Sequence, residues 1–182
     1  MRALLVLLVS SLAACGGSTA KGDDMARPGQ QGGPGAQRYD LNRDGIPDVW
    51  KYVEEVNGQQ VLVRKDFDIN FDGKIDIWRS FENGRKAKDR MDMDFDGRVD
   101  VTIFYDDQER IVRKEVDVEF DEKPDLIKYY SDGQLIRVET DSDGDGRVDF
   151  WEYFKAGRIT RQGSDEDGDG QPDPDRWVEN KG

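Results

Sequence analysis

Beyond residue 39 the chain alternates between two kinds of segment. Short apolar and aromatic runs recur at Val49-Trp50-Lys51-Tyr52-Val53, Ile77-Trp78-Arg79-Ser80-Phe81, Val101-Thr102-Ile103-Phe104-Tyr105, Leu126-Ile127-Lys128-Tyr129-Tyr130 and Phe150-Trp151-Glu152-Tyr153-Phe154. β-Branched and aromatic residues dominate them, which predicts strands. Turn signals follow at Asn57-Gly58, Asn83-Gly84, Asp132-Gly133 and Ala156-Gly157. Asn-Gly and Asp-Gly tolerate the positive φ of two-residue hairpins. The third run is followed by Asp106-Asp107-Gln108-Glu109 instead, which predicts a looser turn. A second strand then returns, as in Val61 to Phe67, Arg110 to Val116 and Gln134 to Thr140. No 3.6-residue apolar period is sustained, so no helix is predicted here.

Between the hairpins lies an acidic segment of the form Asp-x-Asp/Asn-x-Asp-Gly-x-x-Asp. It begins at Asp40, Asp68, Asp92, Asp117, Asp141 and Asp165, at spacings of 28, 24, 25, 24 and 24 residues. The expected fold is therefore all-β: an elongated tandem array of antiparallel β-hairpins, about 24 residues per repeat, with acidic loops along one edge and tight turns along the other. A single unit of this kind cannot bury an apolar face alone, so neighbouring units must pack together. Proline interrupts the strand pattern at Asp173-Pro174-Asp175-Arg176-Trp177, which is expected to cap the array.

The acidic segments carry the candidate chemistry. Oxygens at loop positions 1, 3 and 5 converge if the backbone curls, Gly at position 6 permits the sharp turn, and position 7 can offer a carbonyl. With position 9, the candidate metal ligands are Asp40, Asn42, Asp44 and Asp48; Asp68, Asn70, Asp72 and Asp76; Asp92, Asp94, Asp96 and Asp100; Asp117, Glu119, Asp121 and Asp125; Asp141, Asp143, Asp145 and Asp149; and Asp165, Asp167, Asp169 and Asp173. The fourth set has Glu122 where Gly is needed, and a non-Gly residue at positive φ is costly, so that site is expected to be weak or empty. Ca2+ accepts 6 to 8 oxygens in irregular geometry and fits this donor set better than Mg2+. The alternative is that the aspartates only cap turns by accepting backbone N–H bonds. Capping accounts for one or two acids per loop, not four with a glycine in register.

Composition narrows the partners. Charged residues make up 37% of the 182, hydrophobic ones 35%, and the net charge is -13. A single large core is not expected, although 18 aromatics exceed what a disordered acidic chain carries. Nucleic acid is excluded as a partner by the charge. Without histidine, the usual general base and the commonest zinc ligand are missing, and one cysteine allows no intramolecular disulfide. The aromatics read as packing between hairpins, with a sugar-binding face as the alternative. A base stands four residues before each later loop (Arg64, Lys88, Arg113, Arg137, Arg161), where pairing with acids is expected.

The loops resemble the calcium loops of EF-hands, dockerins and thrombospondin type 3 repeats. They depart from the EF-hand at position 12, where the bidentate Glu is replaced by Lys51, Arg79, Ile103, Lys128 and Arg176; only Glu152 fits. Their flanks are strands rather than helices. The thrombospondin resemblance implies that the Asp at position 9 closes the site. Lys128-Tyr129-Tyr130-Ser131-Asp132-Gly133-Gln134-Leu135 is similar to the hairpin repeats of the bacterial MORN-variant class.

At the start, Met1-Arg2 precedes the apolar run Ala3 to Val9, too short to span a bilayer, and residues 1–14 read as a signal peptide. Leu12-Ala13-Ala14-Cys15 resembles the lipobox of bacterial lipoproteins, which implies a diacylglyceryl thioether on Cys15. The membrane is then a partner through that anchor. Gly16 rather than Asp follows the cysteine, which in the family favours the outer membrane, facing the periplasm or the cell surface. Residues 15–38, rich in Gly, Pro and Gln, read as a tether, and residues 39–182 as the repeat domain. The expected function is a lipid-anchored, calcium-binding envelope protein with a structural or adhesive role, meeting another envelope protein or a polysaccharide. The alternative is a metal-independent hairpin module. A carboxylate-based hydrolase fits less well, because an active site is usually unique whereas these acids repeat six times. The chain is therefore not expected to be an enzyme.

Overall fold

The computed structural model describes residues 35–180. Twelve strands form one antiparallel sheet in chain order, and no helix occurs among the described residues. They are β1 Gln37–Tyr39, β2 Val49–Val56, β3 Gln59–Phe67, β4 Ile77–Glu82, β5 Arg85–Met91, β6 Val101–Tyr105, β7 Ile111–Val116, β8 Leu126–Ser131, β9 Gln134–Thr140, β10 Phe150–Lys155, β11 Arg158–Ser164 and β12 Val178–Glu179. Strands touch only their neighbours in sequence, so the repeats join edge to edge as one open layer. The expected signal peptide, Cys15 with its expected lipid, and most of the expected tether lie outside the described residues. Gln37 and Arg38, expected as tether, belong to β1 and pair with Lys51 and Trp50.

The tight turns set the register. Asn57 and Gly58 sit at φ 53° and 76°, Asn83 and Gly84 at 51° and 76°, Asp132 and Gly133 at 50° and 76°. Ala156 is forced to φ 49° at the equivalent place. Each pair of residues bridges β partners such as Val56 and Gln59, the two-residue hairpin that the sequence signals. The third turn is looser, as expected: Asp106 N donates to the Arg110 carbonyl at 2.9 Å and Glu109 takes φ 59°. All five hairpins shift register close to the turn, for example between Tyr52 and Val53 and between Phe104 and Tyr105. A bulge repeated at one place adds the same local twist to every unit.

Strand alternation gives the two faces separate roles. One face carries a cross-strand row of Trp50, Asp66, Trp78, Arg90, Thr102, Glu115, Ile127, Glu139 and Trp151, ending on Gly163. Beside it runs a row in which aromatics and cations alternate over much of its length: Tyr52, Arg64, then Lys88, Phe104, Arg113, Tyr129, Arg137, Tyr153 and Arg161. Guanidinium carbons lie 4.8 Å from the Tyr52 ring (Arg64) and 4.0 Å from the Tyr129 ring (Arg137). The bases also pair with acids two residues on, Arg64 with Asp66, Arg113 with Glu115 and Arg137 with Glu139. Aromatic packing and acid–base pairing are thus combined in one ladder.

A single layer leaves little interior. The core is Trp50, Ile75 and Trp78, with Ala36, Tyr52 and Val99 packed against it. Ile75 and Val99 come from position 8 of the second and third acidic loops, so the loops fold back to cover the tryptophans. The far end is closed differently. At Gly163 a Cβ would meet the Trp177 ring at 2.8 Å, so glycine there admits the indole. Trp177 also lies 3.6 Å under the Arg161 guanidinium and 5.9 Å from the Tyr153 ring. The terminal segment expected as a cap does cover this end, and it adds the short strand β12 against β11.

Candidate metal-binding loops

Each acidic loop joins an odd-numbered strand to the next, so all six lie on one edge of the sheet. A main-chain bond closes each loop: the N–H at position 9 donates to the carbonyl of the residue before position 1. Asp48 donates to Tyr39, Asp76 to Phe67, Asp100 to Met91, Asp125 to Val116, Asp149 to Thr140 and Asp173 to Ser164, at 2.8 to 3.0 Å.

Within the closed loop the backbone curls twice through positive φ. Position 4 is Arg43, Phe71, Phe95 and Phe120 at φ 61° to 67°, then Gly144 and Gly168 at 75° and 73°. Position 6 is glycine at φ 82° to 95° in five loops. In the fourth, Glu122 adopts φ 73° and the same curl is kept. Glu122 thus stands at the positive φ that is costly for a residue with a Cβ, while the loop keeps the shape of the other five. Three bulky phenylalanines at left-handed φ are also half in solvent, and position 2 exposes Leu41, Ile69, Met93 and Val118.

The acids hold this curl. Position 1 accepts from position 6 through one oxygen, as in Asp68 from Gly73 at 2.7 Å and Asp92 from Gly97 at 2.7 Å. Position 3 accepts from position 5, Asn70 from Asp72 N at 3.0 Å and Asp94 from Asp96 N at 3.1 Å. Position 5 accepts from position 7, Asp145 from Arg147 N at 2.8 Å. Position 9 reaches back to positions 2 and 3: Asp76 accepts from Ile69 N at 2.8 Å and Asn70 N at 3.3 Å. Positions 1 and 9 are buried in the second, third and fourth loops, whereas positions 3 and 5 face solvent in every loop. The capping role weighed in the sequence is therefore present in every loop, and position 9 serves it.

Carboxylate oxygens nevertheless crowd together. Asp92, Asp94 and Asp96; Asp117, Asp121 and Asp125; Asp141, Asp143 and Asp149; and Asp165, Asp167 and Asp173 each bring three oxygens within 4.8 Å of one another. Asp145, Asp169, Asp100 and Glu119 stand in these same loops outside the close triads. The first and second loops carry Asn42 and Asn70 at position 3 and do not form a triad of acids. There, Asp40, Asp44 and Asp48, and Asp68, Asp72 and Asp76, keep the same bonds to the backbone.

Burial and crowding act together on these acids. Burial pushes Asp76 above the ordinary carboxylate value of 3.8, with Asp68 and Asp72 adding to it and the amides of Ile69 and Asn70 opposing. Burial raises Asp92 as well, against the amides of Gly97 and Phe95. Asp96 is held low by hydrogen bonds from Arg98. Position 7 thus supplies an internal counter-charge in some loops: Arg98 to Asp96, and Lys123 to Asp121 at 3.6 Å. In the fifth loop Arg147 turns instead to the Gly168 carbonyl at 2.7 Å, and among the described residues no base pairs with Asp145.

No protein-family model and no curated protein sequence matches the chain. Among solved structures, the crystal structure of accessory secretory protein 1,2 and 3 in Streptococcus pneumoniae is similar over 79% of this chain, at 13% identity and a TM-score of 0.41. The chain spans 23% of that structure's chain, and a likeness of this size carries no functional argument.

Proposed function

We propose that this chain is a lipid-anchored protein of the bacterial cell envelope, with a structural or adhesive role, whose acidic loops take up calcium and stiffen the sheet. The observation that carries the reading is the convergence of three carboxylates within 4.8 Å in each of four loops aligned on one edge. Such oxygens repel one another, and a divalent cation relieves that repulsion. The donors are all oxygen, with no histidine in the chain, which suits a hard cation and not zinc or copper. The open single-layer sheet offers long exposed faces, in keeping with a binding or scaffolding role.

The envelope placement rests on the lipobox-like Leu12-Ala13-Ala14-Cys15, with Gly16 next favouring the outer membrane. Cys15→Ala removes the acceptor of the lipid. The protein then leaves the detergent phase on phase separation; retention there would refute the anchor. Calorimetry with calcium and with magnesium tests the loops, and heat of binding from calcium alone is the expected result.

One observation favours a metal-independent hairpin module. Every loop is already closed by its own hydrogen bonds, so the curl does not require a cation to exist. Proteolysis with and without calcium separates the two readings, since only a cation that rigidifies the loops slows cleavage at the loop edge.

A further inference from the structure

On the face opposite Trp50 and Tyr52, two pairs of lysines stand directly across from each other. Lys51 of β2 pairs in register with Lys65 of β3, and Lys114 of β7 with Lys128 of β8. Like charges directly opposite on a sheet are destabilising. The next partner of Lys65 is Arg79, already held by Asp89 at 2.7 Å. The outer partners of the second pair are Ile103 and Val138. Between these lysines and the loops, the same face presents Val49, Phe67, Val116 and Leu126, so no acid stands on that side either. None of the four lysines makes an ion pair or side-chain hydrogen bond among the described residues, whereas bases on the other face sit beside acids. In a chain of net charge -13, acids are plentiful and their absence here is local.

We propose that this lysine row binds a linear, sparsely charged acidic polysaccharide, whose carboxylates sit between the paired ammonium groups. Charge complementarity defines the ligand. The uncompensated charge comes as two pairs, five strand steps apart, or roughly 24 Å at ~4.8 Å per strand. A polymer with widely spaced carboxylates matches that spacing. Nucleic acid, with its far denser charge, is repelled by the rest of the molecule. A flat anionic bilayer fits less well: a twist of roughly 20° per strand turns the second pair out of the plane of the first, and a flexible chain can follow that turn. The half-buried apolar row beside the lysines, with Val49, Val116 and Leu126 in it, offers a surface for the apolar faces of sugar rings. The inference does not depend on the loops holding calcium.

The test uses the full chain with Cys15→Ala, so that no lipid contributes. Binding is measured to hyaluronan, to neutral dextran and to phosphatidylglycerol–phosphatidylcholine vesicles, at low and high salt. Hyaluronan should bind, dextran should not, and salt should weaken the complex. The double substitutions Lys51→Gln with Lys65→Gln, and Lys114→Gln with Lys128→Gln, should each lower affinity about tenfold. Lys155→Gln, an exposed lysine at a turn, should leave it unchanged. Because each double substitution removes a repulsion, its melting temperature should hold or rise, so lost binding cannot be put down to misfolding. Absence of hyaluronan binding, equal affinity in all variants, or vesicle binding that needs the same lysines would each overturn the proposal.

Discussion

The main-chain N–H of Asp68 donates to the carbonyl of Asp48 at 2.8 Å, tying the first residue of the second acidic loop to the last residue of the first. The bond recurs from Asp92 to Asp76, Asp117 to Asp100, Asp141 to Asp125 and Asp165 to Asp149. Successive loops are therefore parts of one hydrogen-bonded edge and not separate ornaments on a sheet. The same aspartate at position 9 closes its own loop, caps the start of that loop through its side chain, and accepts from the next loop through its carbonyl.

This division of labour predicts different outcomes for two aspartates. Asp76 is buried and accepts two amides, so Asp76→Ala leaves Ile69 N and Asn70 N unsatisfied. The expected loss is roughly 2–4 kcal/mol of stability whether or not calcium is present. Asp145 is exposed, and its one amide bond is replaceable by water. Asp145→Ala should leave the metal-free melt almost unchanged while weakening calcium binding. Chemical denaturation in chelator and in calcium reads both effects; equal losses in chelator would contradict the assignment.

The fourth loop offers a gain of stability. Glu122 holds φ 73° where its counterparts are glycine, and at Gly45 and Gly97 an added Cβ meets nothing within 4 Å, so the cost is one of backbone conformation alone. Glu122→Gly should stabilise the protein by about 1 kcal/mol. It should also raise calcium affinity at Asp117, Asp121 and Asp125, which already converge. A melting temperature that falls in this variant would show that Glu122 makes a contribution the strain argument omits.

Alkaline pH should expose a weak point at Tyr105. Burial, and then the neighbouring Asp89 carboxylate, push its hydroxyl up from 10.0 to about 12. The hydroxyl donates to Asp89 at 3.0 Å, and Asp89 is fully buried. A raised folded-state value means that the contribution is intact below pH 10 and is lost as pH climbs through about 12. Tyr105→Phe should remove that pH dependence and delete a late-titrating tyrosine from an ultraviolet titration. An unchanged alkaline melt profile in Tyr105→Phe would count against it.

The hairpins were legible because their signals are local. Asn-Gly and Asp-Gly at turn positions and runs such as Phe150–Phe154 depend on backbone preference, and the structure places strands and turns where they predict. What the sequence did not disclose depends on distant pairing. Lys51 and Lys114 look like ordinary exposed bases until register sets them against Lys65 and Lys128. Gly163 looks like an accident in a strand until Trp177 fills it. In the fourth loop the strain at Glu122 is legible from its own φ preference, whereas the bonds to Asp117 and Asp125 that hold the loop in shape depend on the closed fold. Position 9 caps every loop and also stands in three of the four carboxylate triads, and its capping signal is an acid seven residues after the amide that it binds, repeated six times. That signal is indistinguishable from a ligand pattern until burial is known.

The central claim is that a cation completes this edge, and thermal melting in chelator, calcium and magnesium tests it most directly. The repeat region from residue 39 carries 38 acids and 23 bases, and it has a narrow core. A ligand bound only by the folded state stabilises by RT ln(1 + [L]/Kd) per site, roughly 2.7 kcal/mol at a hundredfold excess over Kd. Several sites together would be comparable with the ~5–15 kcal/mol of an ordinary domain. The account predicts a melting temperature that climbs steeply with calcium and little with magnesium, and a loosened array in chelator. Superimposable curves in all three would contradict both the calcium assignment and the stiffened edge built on it.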